Sequence, residues 1–90
     1  MNNELLNEFR ETMQKATDQE LVNYFNKEVG NTGWGNARSY YLAALREEIT
    51  KRDMDSSIII HEGGLSLKRN VKLSNGKLEF DDSDKQDGGV

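Results

Sequence analysis

The 90-residue chain has no cysteine and no proline, one histidine and one tryptophan. Without cysteine it can form no disulfide, no thiolate nucleophile and no Cys-ligated metal centre. Small domains that work outside the cell commonly rely on disulfides, so the expected setting is reducing and cytoplasmic. A lone histidine excludes multi-histidine metal sites. The lack of proline removes slow isomerisation and any stiff Pro-rich linker. The longest apolar run is six residues (YYLAAL, 40–45), far below the roughly 20 that a membrane span needs. The start, MNNELLNEFRE, has neither the basic lead nor the apolar stretch of a secretory signal. The expectation is a soluble protein without membrane association.

What is present is polar: hydrophobic residues make up 34% of the chain, charged residues 31%, and the net charge is −4. That suits one small domain, which must place nearly every large apolar side chain in a single core. Residues 1–29 and the C-terminal end are net acidic, whereas residues 30–52 and 61–80 are net basic. No long-range field for collecting DNA results, but a local basic surface does. The last ten residues, DDSDKQDGGV, hold one apolar side chain. They read as a disordered acidic tail, 81–90, following a single domain, 1–80. Asp82-x-Asp84 begins like a calcium loop, but Gln86 and Asp87 miss the ligand and glycine positions that follow.

Helical spacing of Leu5, Leu6, Phe9 and Met13 predicts a first helix over 3–15. Thr17 and Glu20 form a capping box, with Ala16 and Leu21 as a small hydrophobic staple, and open a second helix over 18–28. Leu21, Val22, Phe25 and Val29 line its apolar face, and Gly30 stops it. Tyr41, Leu42, Leu45 and Ile49 stripe a third helix, 35–52, whose Ala37, Ala43 and Ala44 would admit a close neighbour. Arg46, Lys51 and Arg52 complement the dipole at its C-terminal end. Glu47 and Glu48, adjacent on a helix, point apart and read as a solvated face. From Asp53 onward β-branched and alternating residues take over. They predict strands near 57–61, 65–68 or 65–73, and 77–80, with Asn75-Gly76 as a type I′ hairpin turn. The fold class is α+β: three N-terminal helices packed against a small antiparallel two- or three-stranded sheet.

The segment GNTGWGNAR, 30–38, places Gly30, Gly33 and Gly35 in the dinucleotide fingerprint reversed. It follows a helix instead of a strand, and no Lys-Ser/Thr pair follows it, so no nucleotide and no cofactor is expected. Thr32 or Asn36 is the candidate cap of the third helix. With Thr32 as cap, Trp34 plugs the core; with Asn36, it stands in the loop as a binding anchor. A domain this small favours the core. Catalysis is poorly supplied. Ser57, His61 and Asp55 lie within one short segment, without a nucleophile elbow or an evident oxyanion hole. His61 reads as a surface residue before a turn, and no catalytic or metal-binding residue is expected.

These features predict a non-enzymatic macromolecule-binding domain, regulatory or accessory, of bacterial or mobile-element character, with a protein as partner. Its expected surface joins Trp34, Arg38 and Tyr40 to a basic hairpin with Lys68, Arg69 and Lys72, because interface centres favour aromatics and arginine. The alternative is a winged-helix-like nucleic-acid binder, with the second and third helices as the helix-turn-helix pair and Lys68, Arg69, Lys72 and Lys77 on phosphates. Its acidic balance and an inter-helix loop longer than 3–4 residues weigh against it. Acidic mimicry of nucleic acid is weaker still, since the acids of residues 1–29 are interrupted by Arg10, Lys15 and Lys27.

Overall fold

Leu6, Phe9 and Met13 recur on one side of α1 (Asn3–Lys15) and turn it toward the core, which Met13 enters completely. The computed structural model describes residues 3–31, 35–62 and 64–81. The chain breaks at Ala16 and restarts through the capping box. The Glu20 amide donates to Thr17 Oγ1 at 3.0 Å and the Thr17 amide donates to Glu20 Oε1 at 2.8 Å. Together these bonds satisfy two amides that the first turn of α2 (Asp18–Glu28) would leave unpaired. Leu21, Val22 and Phe25 then bury the inner face of α2. Gly30, at φ +80°, takes the left-handed turn that carries the chain away from the helix.

Helix α3 (Asn36–Lys51) packs along α1 and also touches α2. Its N-cap is Gly35, with no side-chain capping bond. Asn36 is therefore the first residue of the helix and not its cap, and Thr32 lies outside the described residues. Ala44, Leu45 and Ile49 are buried, while Ala37 and Ala43 are exposed, so only Ala44 serves close packing. Glu48 is not solvated: it is 8% exposed and lies at the helix junction.

That junction is organised by Arg52, the C-cap of α3. Its guanidinium donates to the carbonyls of Met13 and Ala16 (3.1 and 3.0 Å), to Asp18 (2.7 Å) and to Glu48 (2.8 Å). One side chain thus closes the C-terminal end of α1, meets the N-terminal turn of α2 and braces its own helix. Carbonyls at a helix end and a cation are a favourable pair. Hydrogen bonds to Glu48 and Asp18 hold the Arg52 guanidinium above its ordinary pKa.

The β part forms two separate antiparallel hairpins in place of one sheet: β1 (Ile60–His61) with β2 (Gly64–Leu65), and β3 (Val71–Ser74) with β4 (Lys77–Phe80). Residues 57–59 form a turn, and the strand expected from residue 57 starts at Ile60. Asn75 (φ 53°) and Gly76 (φ 79°) form the expected positive-φ turn of the second hairpin. Val71 and Leu78 face the core, whereas Phe80, at the end of β4, is exposed. Asp55 adds a one-residue parallel bridge beside Lys77: its amide donates to the Gly76 carbonyl and its carbonyl accepts from the Leu78 amide, both at 2.8 Å.

Each hairpin is fastened to a different helix. Asn26 on α2 uses its side-chain amide as a peptide group, donating to the Val71 carbonyl and accepting from the Val71 amide, both at 2.8 Å. The Gly30 amide donates to the Leu67 carbonyl beside it. The β3–β4 hairpin therefore sits on α2, and β2 packs on α3.

Two stability tests follow from these fastenings. Arg52→Met should cost about 2 kcal/mol in urea unfolding, because it leaves the largely buried Glu48 carboxylate with only the longer contact to Lys51, at 3.5 Å. Adding Glu48→Met should recover part of that loss, and an additive double variant would contradict the coupling. Asn26→Asp sets a carboxylate oxygen against the Val71 carbonyl, so its folded-state pKa must rise. Its stability should be fullest below about pH 4, the ordinary carboxylate value, and should fall as pH rises, as urea midpoints from pH 3.5 to 7 would show.

Candidate partner-binding groove

Helix α3 shows different faces to its two neighbours. Tyr41, Ala44, Leu45 and Glu48 turn toward the helices. Ser39, Leu42, Ala43 and Arg46, spaced i, i+3, i+4 and i+7, turn toward the first hairpin. Between that second face and β2 lies a groove of about 610 Å³. Leu42, Ala43, Leu65 and Leu67 supply its apolar surface; Arg38, Ser39, Arg46, Glu47 and His61 supply its polar rim.

The rim charges are not equivalent. Arg38 Nε donates to Glu28 Oε1 at 2.8 Å, with both side chains near 15% exposed (15% and 16%), and its Nη2 donates to the Asn31 carbonyl at 3.1 Å. Arg38 therefore ties the end of α2 to the start of α3. Glu47 faces Arg10 of α1 through two bonds of 3.0 and 2.9 Å. Hydrogen bonding to Arg10 holds the Glu47 carboxyl below its ordinary pKa. Arg46 instead donates to two carbonyls of the first hairpin, Gly64 at 3.4 Å and His61 at 3.3 Å. It forms no ion pair among the described residues.

A smaller cavity of about 250 Å³ lies beside Phe9, Glu28, Ala37, Arg38 and Tyr41. The Tyr41 ring meets Phe9 edge-to-face, with centroids 5.3 Å apart. Burial first, and then the negative charge of Glu28, push the Tyr41 phenol above its ordinary pKa.

The expected surface is only partly assembled. Arg38 lines both cavities, but its guanidinium is engaged by Glu28. Tyr40 is half-buried and lines neither. Trp34, like Gly33, lies outside the described residues, as do the Asp82 and Asp84 of the tail. Lys68, Arg69 and Lys72 are exposed on the second hairpin and its approach and do not line the groove, although Lys68 follows the groove residue Leu67. Arg69 stacks over the Phe80 ring at 4.1 Å, and Lys72 stands opposite Glu79 in the ladder. The sequence reading missed Arg46 and the apolar surface beside it; the signal was the polar–apolar–small–cation series at helical spacing in 39–46.

The segment 55–61 assembles no triad. Ser57 Oγ donates to Asp55 Oδ1 at 2.7 Å, which holds the Asp55 carboxyl below its ordinary pKa, while His61 Nδ1 lies 3.1 Å from the Glu62 carbonyl oxygen. No group of three or more His, Cys, Asp or Glu side chains is arranged for a metal among the described residues. No helix among them is long and apolar enough to cross a membrane. No known protein family, curated protein or solved structure matches the chain.

The environment of Tyr41 sets an alkaline test. Its native pKa is raised, so the unfolded chain ionises first. Its contribution is complete below about pH 10 and is lost as pH climbs through the native value. Tyr41→Phe keeps the ring contact with Phe9 and should flatten the fall in urea midpoint between pH 9 and 11.5, with little change at pH 7.

Proposed function

We propose that this chain is a small non-enzymatic binding domain that seats a segment of a partner protein between α3 and the first hairpin. The observation that supports this reading is the groove itself, an open apolar surface with a polar rim in a chain of 90 residues. A domain this small has few large aliphatic side chains to leave beside solvent, and recessed apolar surface with polar edges is what protein segments dock against.

Nucleic-acid binding by the second hairpin has less support. Its cations are interleaved with Glu79 and Phe80, and Arg38, the cation nearest the start of α3, is held by Glu28. Lysines on an exposed strand also discourage edge-to-edge pairing with other chains.

Ala43→Arg tests the groove, because residue 43 is exposed and arginine is a good helix former. Tagged wild-type chain should recover a stoichiometric protein from its native cell. Ala43→Arg, with unchanged helicity and melting temperature, should recover at least tenfold less, and Lys68→Glu with Lys72→Glu should recover as much as wild type. Undiminished recovery by Ala43→Arg rejects the groove. Steeply salt-dependent binding of mixed-sequence duplex DNA, abolished by the two lysine changes, would favour the hairpin instead.

A further inference from the structure

We infer that the segment seated in this groove carries a carboxylate beside a large aliphatic side chain, and that Arg46 receives the carboxylate. The inference rests on the proposed docking function and specifies its partner. Of the three fully charged side chains on the rim, Arg38 is neutralised by Glu28 and Glu47 by Arg10. Among the described residues Arg46 holds two carbonyl contacts, at 3.3 and 3.4 Å, near the long limit for a hydrogen bond. Its Nη1 makes no hydrogen bond among the described residues. A wholly apolar or cationic occupant would strip water from this guanidinium without replacing its hydrogen bonds, whereas a carboxylate would supply short charge-assisted ones.

The spacing sets the motif. Arg46 stands about one helical turn beyond Leu42 and Ala43 on the same face, about 6 Å along the axis from Leu42 and about 4.5 Å from Ala43. In an extended peptide, side chains two residues apart share a face at about 6.6 Å. An aliphatic residue against Leu42 and Leu65 thus places an aspartate or glutamate two residues away at Arg46. From Ser39 to Arg46 the face is about 10 Å long, which accommodates about three extended residues. The recognised unit is short.

Random twelve-residue peptides displayed on phage, selected on the full chain and counter-selected on Ala43→Arg, give a direct readout. Groove-dependent peptides should enrich Asp or Glu two residues from Leu, Ile, Met or Phe. For a synthetic copy of the best binder, replacing the acid by its amide should raise Kd about tenfold, equivalent to about 1.4 kcal/mol. Arg46→Gln should raise Kd similarly, and the two changes together should not add. The peptide-side change leaves the protein intact, so it separates lost recognition from a loosened hairpin. Groove-dependent peptides that are neutral or basic, or that tolerate the amide, overturn the acidic occupant and leave the groove standing. Failure to obtain any groove-dependent peptide overturns both readings.

Discussion

The arrangement of the helices depends on one guanidinium. Arg52 reaches two terminal carbonyls of α1, the first acid of α2 and a carboxylate of its own helix. Each group, left alone in a largely enclosed site, would carry a desolvation cost. Gathered around one planar donor set, they satisfy one another. Arg52 sits where α3 ends, so its contacts also fix which side of α3 meets α1 and α2. The Ser39–Arg46 face is consequently left for the hairpin.

The β strands do not form their own layer, because other partners claim part of the backbone that a further strand would use. Asn26 presents an amide to Val71 in the geometry a neighbouring strand would use, and Gly30 takes the Leu67 carbonyl. Asp55 occupies part of the β4 edge. These bonds attach the second hairpin to α2 and to the segment after α3. The first hairpin is held to α3 by Arg46 through the His61 and Gly64 carbonyls. Two hairpins drawn to two helices cannot merge into one sheet, and the space beside α3 remains open as the groove.

This explains which features could be read from the residues in order. Contacts within four positions leave local patterns: the Thr17–Glu20 capping box, the apolar stripe of α2 and the Asn75-Gly76 turn all stand as expected. Asn26 with Val71 and Arg52 with Met13 join residues 45 and 39 positions apart, and no short-range spacing encodes them. Glu48 looked solvated because an adjacent glutamate suggests a charged face, yet its partner Arg52 is what allows burial. The groove was obscured for another reason. Leu42 belongs to the same apparent stripe as Tyr41 and Leu45, and only the docking of β2 shows that α3 serves two faces.

Arg46 belongs both to the docking of the first hairpin and to the groove. Its present bonds hold the hairpin by carbonyl oxygens, which compete weakly with a carboxylate for a guanidinium. The guanidinium has five N–H donors in a fixed fork, so a carboxylate can approach Nη1 without displacing the bonds from Nε and Nη2. Anion binding there and hairpin docking are therefore compatible. Each orders the same side chain, and whichever forms first lowers the entropy lost by the other. A short segment that contacts about three residues' length of groove has little area with which to bind tightly. A guanidinium already positioned by the fold would let so small a surface select the proposed acidic segment.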